Sequence, residues 1–198
     1  MSNQILAVNR NALAPEIIQE AAKEARSLRE NIQFLGFAAA MYDDEATGIS
    51  PFMQVKINQK NRDAFESEAP AIASLLDEMT TIPTQLKGIQ LASLRSVFKL
   101  TINYCDSGTE VAPHRDYGNR HNDRVSRIAT LCGRALFGID VQSGEAPIEP
   151  IAVEAGDIHE LLNPRTLLER PVHWARTIGD TDRISFVYQE NVIHSKEP

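Results

Sequence analysis

The sequence predicts a mainly β fold with flanking helices, built around a jelly-roll core of two antiparallel sheets. Two observations predict it: strand-like runs separated by turn signals fill the chain after residue 88, and two helical patterns precede them. The 198 residues, 42% hydrophobic and 24% charged, are ordinary for a chain with one sizeable core. We therefore expect a single domain over residues 1–198, helix-rich at 1–88 and with a β core at 89–190 that carries the functional site.

The helix-rich part contains two segments in which apolar residues recur every three to four positions. Residues 15–29 form the first, with Ile18, Ala21 and Ala25 on its apolar face. Residues 62–79 form the second, and Pro83 lies beyond its end. Between them, residues 52–57 alternate apolar and polar side chains, as a short strand does.

The β core begins with a strand-like run at residues 91–104. Five more runs follow, at 127–132, 135–141, 150–154, 172–177 and 183–188. Turn signals separate them, including Asp106-Ser107-Gly108, Ser143-Gly144 and Ala155-Gly156-Asp157. Residues 163–171 show no clear period and are predicted to be a loop.

Charge and cysteine content limit the partners and the compartment. A net charge of -7 argues against a duplex nucleic acid partner, because phosphate contacts need surplus Lys and Arg. Cys105 and Cys132 give no disulfide framework and are expected to be buried structural thiols, which indicates a reducing compartment. Without a signal pattern or an apolar run of membrane-spanning length, we expect a cytoplasmic protein with no membrane partner. The helix-rich part is a candidate for a homodimer interface or a wall of the site.

A His-x-Asp motif at His114 and Asp116 is the first candidate for metal binding. Pro113 favours an extended Ala112, which places His114 at the edge of a strand. A second His-x-Asp at residues 121–123 lies in a polar run that reads as a solvated loop, so we favour the first. Either motif alone occurs by chance in chains of this length.

His173 supplies a third ligand, and two histidines with one carboxylate form the facial set of non-heme Fe(II) oxygenases. Alternation places His173 and Ala175 on one strand face, and Arg183 and Ser185 on one face of the next. If residues 179–182 form a hairpin turn, these strands are antiparallel neighbours and both sets point into one interior. Arg183 can then bind the far carboxylate of a dicarboxylate co-substrate by a two-point hydrogen bond. The alternative without a functional role is that His173 is a core histidine and Arg183 a surface arginine.

Other residues carry weaker assignments. Tyr104 and Arg127 are candidates for further co-substrate contacts, against the alternatives of a sheet-filling tyrosine and a surface charge. Arg115 and Arg124 are candidates for binding an anionic substrate, against solvated surface. His159 is an alternative distal metal ligand, although no Arg-x-Ser follows it at the same interval.

These residues resemble the Fe(II)/2-oxoglutarate-dependent dioxygenase superfamily, whose pattern is His-x-Asp, a distal His and then Arg-x-Ser. His114, Asp116, His173, Arg183 and Ser185 match it position by position, and the resemblance covers residues 91–188. The order of residues 124–128 is similar to the aspartyl/asparaginyl β-hydroxylase branch, which includes hydroxylases of free amino acids. That branch has a histidine two residues after its arginine, whereas Arg127 is followed by Ile128 and Ala129.

The resemblance implies a double-stranded β-helix, with Fe(II) on His114, Asp116 and His173. It also implies 2-oxoglutarate on Arg183 and Ser185, and O2 as oxidant, so that a C–H bond is hydroxylated with release of succinate and CO2. The substrate is then an amino-acid-like small molecule or a protein side chain. Two alternatives stay open: a cupin-type ligand- or metal-binding protein without oxygenase activity, and a dioxygenase acting on a nucleobase.

Overall fold

The computed structural model describes residues 5–31, 38–44, 49–57, 62–91, 100–116, 122–140 and 148–193. Its strands are β1 (Leu6–Asn9), β2 (Ala38–Asp44), β3 (Ile49–Ile57), β4 (Gln90–Leu91), β5 (Leu100–Cys105), β6 (Glu110–His114), β7 (Arg124–Cys132), β8 (Arg134–Asp140), β9 (Ile151–Glu154), β10 (Ile158–Asn163), β11 (Val172–Ile178) and β12 (Arg183–Ile193). They form two antiparallel sheets, which confirms the predicted fold class of a mainly β jelly roll.

The larger sheet has the order β1-β10-β7-β12-β5-β3-β2, with β4 beside β12. The smaller sheet has the order β6-β11-β8-β9. Consecutive strands therefore often lie in different sheets, as the chain passes back and forth between the two layers. This arrangement gives each sheet one face toward the other sheet, where a site can be enclosed.

The helices α1 (Pro15–Asn31), α2 (Arg62–Glu68) and α3 (Pro70–Thr81) accompany the larger sheet. The apolar stripe of α1 and that of α3 share one hydrophobic core with the outward-facing residues of β5, β7 and β12. Glu24 of α1 accepts hydrogen bonds from the backbone N–H groups of Ala71 and Ile72, both at 2.9 Å, which satisfies the first turn of α3. None of the helices in the described ranges is long and apolar enough to cross a membrane.

The helix predicted over residues 62–79 is two helices, and the prediction of one continuous helix is wrong. The break falls at Ala69, directly before Pro70. Proline lacks a backbone N–H and disfavours helical geometry in the residue before it, so the chain starts a new helix there.

The predicted hairpin at residues 179–182 is also wrong. β11 pairs with β6 and β8, whereas β12 pairs with β5, β7 and β4, so the two strands lie in different sheets. The turn carries the chain from one sheet to the other. Because the inner faces of the two sheets point at one another, His173 and Arg183 still face a common interior.

Strand boundaries differ elsewhere from those expected. The run predicted at 91–104 overlaps the last residue of β4 and most of β5, and residues 92–99 lie outside the described part of the chain. The sequence patterns did not predict β1, β2 or β10. All six positions of β10 are buried, although His159, Glu160 and Asn163 are polar. The strand therefore lacks the alternation of apolar and polar residues by which a half-exposed strand is recognised.

Candidate metal centre and adjoining cavity

The inner faces of the two sheets enclose a cavity of about 110 Å³. Strands from both sheets contribute its walls. The residues that line it are Thr101, Asn103, Cys105, Val111, His114, Asp116, Ser126, Ile128, Phe137, His159, Leu161, His173, Trp174, Ala175, Arg183, Ser185, Val187 and Gln189. The five residues that the sequence singles out as metal ligands and Arg-x-Ser pair are all among them.

His114, Asp116 and His173 form a cluster that could hold a metal ion, named the metal-binding cluster for that reason. Their potential ligand atoms all lie within 4.8 Å of one another. His114 at the end of β6 is the register partner of His173 on β11, and the centroids of the two rings are 4.4 Å apart. Asp116 follows two residues after His114, so one strand pair brings all three side chains together.

The hydrogen bonds of the two imidazoles suit metal binding. Nδ1 of His114 lies 2.9 Å from the carbonyl oxygen of Ala112, and Nδ1 of His173 lies 3.3 Å from that of Pro171. A carbonyl only accepts, so each Nδ1 carries the proton and Nε2 keeps its lone pair for a metal. A histidine that donates its second N–H to a carbonyl is the usual arrangement at metal sites. The residues present therefore fit a divalent ion.

Asp116 is held by a polar network from three strands. Its Oδ2 accepts hydrogen bonds from Ser126 Oγ at 3.1 Å, Asn163 Nδ2 at 3.3 Å and Gln189 Nε2 at 3.3 Å. Asn163 and Gln189 also donate to Ser126 Oγ, at 2.9 and 3.0 Å. Arg124 donates to Oε1 of Gln189 at 3.4 Å. These hydrogen bonds hold the Asp116 carboxylate in one orientation beside the two histidines.

Arg170 fixes the backbone around this carboxylate. Its guanidinium donates to the carbonyl oxygen of Asp116 at 2.5 Å and to that of Pro164 at 2.8 Å. Arg115 donates in turn to the carbonyl oxygen of Arg170 at 3.0 Å. Two segments that are distant in sequence, 115–116 and 164–170, are thereby joined beside Asp116.

Arg115 and Arg124, the candidates for substrate binding, are not among the described residues that line the cavity. Arg124 is buried beside the Asp116 network, and burial, followed by the charge of Arg170, lowers its pKa. The structure therefore places both arginines as supports of the metal-binding loop and its carboxylate. This corrects the expectation that they face an anionic substrate.

Arg183 and Ser185 lie on the inner face of β12 and are 4% and 1% exposed. Among the described residues, Nε of Arg183 and Oγ of Ser185 have no hydrogen-bond partner, and no carboxylate pairs with the guanidinium. Burial lowers the pKa of Arg183. Arginine nevertheless stays charged in proteins, so a buried and unpaired guanidinium indicates a site for an anion.

His159 lies on the same wall of the cavity and is 0% exposed. Burial first, and then the charge of Arg183, lower its pKa well below the usual value. Its ring centroid is 4.6 Å from that of Phe137, which is in turn 5.7 Å from that of His173. His159 is not a member of the metal-binding cluster, so the alternative that it replaces His173 as the distal ligand is wrong.

Tyr104 and Arg127 point away from the cavity, which corrects the prediction that these two side chains contact the co-substrate. Tyr104 donates its hydroxyl to the carbonyl oxygen of Ala25 at 2.6 Å, beneath α1. Arg127 pairs with Glu160 at 2.8 Å and donates to the carbonyl oxygen of Met79 at 2.6 Å. The residues before and after each of them in the chain face the cavity instead, because successive side chains alternate between the two faces of a sheet.

Three remaining predictions concern cysteines and the competing motif. Cys105 is buried, and burial is the main cause that raises the pKa of its thiol, whereas Cys132 is only partly buried. Both thiols are free. His121, part of the competing His-x-Asp, lies outside the described residues.

Sequence reasoning missed Ser126, Asn163, Gln189 and Thr130. Ser126 and Gln189 line the cavity, and Asn163 joins them at Asp116. Thr130 is the register partner of Ser185 and is fully buried with an unpartnered hydroxyl. Gln189 shares the face of Arg183 and Ser185, a signal that becomes visible once β12 extends beyond Tyr188.

Comparison with known proteins identifies this fold in several solved structures. A Pseudomonas putida prolyl-4-hydroxylase matches with a TM-score of 0.53 and 14% identity, over 94% of this chain and 92% of that one. A Trichoplax adhaerens prolyl hydroxylase, solved with a peptide of hypoxia inducible factor, matches with a TM-score of 0.54 and 14% identity, over 94% and 83%. OsALKBH1 matches with a TM-score of 0.51 and 13% identity, over 92% and 96%. No protein-family model and no curated protein matches the chain. At such low identities, the likeness is one of fold.

Proposed function

We propose that this chain is an Fe(II)- and 2-oxoglutarate-dependent dioxygenase that hydroxylates a C–H bond of an amino-acid-like small molecule or a protein side chain. The observation that carries the proposal is the pairing of two features in one cavity. His114, Asp116 and His173 can hold a metal, and the buried Arg183 has no anionic partner among the described residues. A 2-oxo dicarboxylate suits both features, since its 2-oxo acid end can chelate a metal and its second carboxylate can pair with the guanidinium.

The protein residues orient the reactants and keep the cavity dry. His114, Asp116 and His173 would hold Fe(II) with their ring nitrogens and one carboxylate oxygen, and Ser126 and Gln189 fix that carboxylate. Iron supplies the oxidation, in which 2-oxoglutarate and O2 yield succinate and CO2 while one oxygen atom enters the C–H bond. Arg183 and Ser185 would bind the distal carboxylate and so fix the direction of the co-substrate.

The apolar part of the lining has a second role. Val111, Phe137 and Ala175 line the same cavity with side chains that neither donate nor accept hydrogen bonds. Such walls exclude water from the reacting atoms and strengthen the charge interactions of Arg183. Support for an amino acid or peptidyl substrate comes from fold, because two of the matching structures are prolyl hydroxylases.

The test is anaerobic addition of Fe(II) and 2-oxoglutarate to the metal-free protein. We expect a visible charge-transfer band that needs both additions and is absent in Asp116→Ala. Succinate release is then screened against free amino acids and proline-containing peptides. Metal binding without the band would contradict the proposal and favour a metal-binding jelly roll of the cupin type. A band with succinate release driven only by a nucleobase would retain the chemistry and correct the substrate class.

A further inference from the structure

His159 is a fully buried imidazole with no hydrogen bond to either ring nitrogen among the described residues. A neutral imidazole has one N–H donor and one acceptor nitrogen, and buried groups of this kind nearly always have partners. A buried imidazole without hydrogen-bond partners costs free energy of folding, and an apolar side chain would not. A histidine at this position is therefore explained best by a ligand that forms a hydrogen bond with it. The side chain lines the cavity, so a bound molecule can provide the partner.

The position of His159 separates it from the metal. It projects inward from β10, opposite Ile128 of β7. The ring of Phe137 contacts His159 and also stacks near His173, with centroid distances of 4.6 and 5.7 Å. His159 is therefore one aromatic ring beyond the metal-binding cluster, outside the set of atoms that can hold the ion.

Other buried polar atoms without partners among the described residues belong to residues that line the cavity, Arg183 and Ser185, or lie beside it, at Thr130. Arg183 Nε, Ser185 Oγ and Thr130 Oγ1 are all buried without a hydrogen bond in the described part of the chain. Thr130 and Ser185 are directly opposed on β7 and β12, and the charge of Arg183 acts on His159. A carboxylate accepts about four hydrogen bonds, so one such group can satisfy several of these donors together.

We infer that His159 is a further co-substrate-binding residue, which donates its ring N–H to the distal carboxylate that Arg183 pairs with. The inference rests on the proposed function and assigns a role to a residue outside the His-x-Asp, His and Arg-x-Ser pattern. It also gives His159 a part in specificity. A 2-oxo acid without the second carboxylate leaves both His159 and Arg183 unsatisfied, and sites built on buried polar groups reject such analogues strongly.

The test compares two ligands that differ only in that carboxylate, 2-oxoglutarate and 2-oxopentanoate. Calorimetric titration uses the Mn(II)-loaded protein, because Mn(II) allows binding without turnover. His159→Leu is expected to weaken 2-oxoglutarate binding roughly 10- to 100-fold, the range for a hydrogen bond to a charged group, and to leave 2-oxopentanoate binding unchanged. His159→Gln keeps an N–H donor and is expected to recover part of the loss.

Ile158→Val is the matched control, since Ile158 lies on the same strand but packs in the core shared with the helices. It should leave both affinities unchanged. Equal weakening of both ligands in His159→Leu, or no weakening of either, would overturn the inference and leave His159 as a cavity wall satisfied by water. Failure of the unaltered protein to bind 2-oxoglutarate would instead overturn the proposed function, and this inference with it.

A second readout needs no variant. In the Zn(II)-loaded protein with ¹⁵N-labelled histidine, the ring signals of His159 should shift with 2-oxoglutarate and respond less to 2-oxopentanoate. Identical responses to the two ligands would count against a bond to the distal carboxylate. The measurement keeps the inference falsifiable if His159→Leu fails to fold.

Discussion

Replacing Arg183 with methionine should have opposite effects on stability and on ligand binding. The guanidinium is 4% exposed and has no carboxylate partner among the described residues, so the ligand-free protein carries an uncompensated buried charge. Methionine is unbranched and of similar length, and it fills irregular apolar space. Removing the charge should raise the free energy of unfolding by about 1–4 kcal/mol.

The same change should remove most or all of the ligand response. Truncating one partner of a buried charge pair costs about 2–5 kcal/mol, which corresponds to a loss of affinity for 2-oxoglutarate of roughly 30- to 5,000-fold. For a domain of this size, each kcal/mol shifts Tm by about 2–4 °C. Saturating 2-oxoglutarate at about 100 times its Kd should stabilise the unaltered Mn(II)-loaded protein by about 2.7 kcal/mol.

The assay is thermal unfolding of the Mn(II)-loaded protein with and without 2-oxoglutarate. Arg183→Met should show a higher Tm without ligand, and 2-oxoglutarate should stabilise it by less than about 1 kcal/mol. Arg134→Met is the control, because Arg134 is exposed and its ion pair with the exposed Glu154 is long at 3.7 Å. The stability of this variant should differ from that of the unaltered protein by less than about 0.5 kcal/mol. A destabilised Arg183→Met that keeps its full response to 2-oxoglutarate would refute the reasoning.

Three further predictions concern the metal, pH and packing. Ser126→Ala removes the hydroxyl at the centre of the Asp116 network and should weaken metal affinity by about 10- to 100-fold in a competition titration, while unchanged affinity would contradict the orienting role. Burial raises the pKa of Glu190 to about 7 from 4.5, so the folded state binds that proton more tightly and its stability falls as pH rises between those values. Glu190→Gln should therefore gain about 1–3 kcal/mol relative to the unaltered protein at pH 8, with little difference at pH 4 in denaturant titrations; an equal gain at both would exclude titration as the cause. Gly138→Ala places a Cβ 2.2 Å from the Trp174 ring, so it should shift the fluorescence of the single tryptophan and destabilise by about 1–3 kcal/mol, and an unchanged spectrum would argue against that contact.

The sequence alone predicted that the metal-binding cluster and the Arg-x-Ser pair face one common interior. The two-residue period of β12 places Arg183 and Ser185 on one face and Ile184 and Phe186 on the other, whichever strand lies beside it. Side-chain direction is a local property of a strand. The side-chain directions were therefore predicted correctly, although the predicted pairing of β11 with β12 in a hairpin was wrong.

Strand pairing was not predictable because a turn has the same local sequence whether it joins neighbours or crosses between sheets. Gly179 has φ 85° and fits the tight turn in either case. Which strands pair depends on contacts that are distant in sequence, such as those of β12 with β5 and β7. A single sequence carries no direct signal for them.

The errors at Tyr104 and Arg127 have a related cause. β5 and β7 are buried on both faces, by the smaller sheet on one side and by helices on the other, so polarity does not reveal which face a residue occupies. Arg127 is buried among carboxylates and carbonyl oxygens on the helix side. The network of Ser126, Asn163 and Gln189 was missed because its members come from three strands and form no motif.

The most direct test of the central claim is a crystal structure of the protein with Mn(II) and 2-oxoglutarate. We predict one Mn(II) per chain, bound by Nε2 of His114, Nε2 of His173 and an oxygen of Asp116, with the distal carboxylate of 2-oxoglutarate on Arg183. A metal held by other residues, or a 2-oxoglutarate molecule whose distal carboxylate lies away from Arg183, would contradict the account.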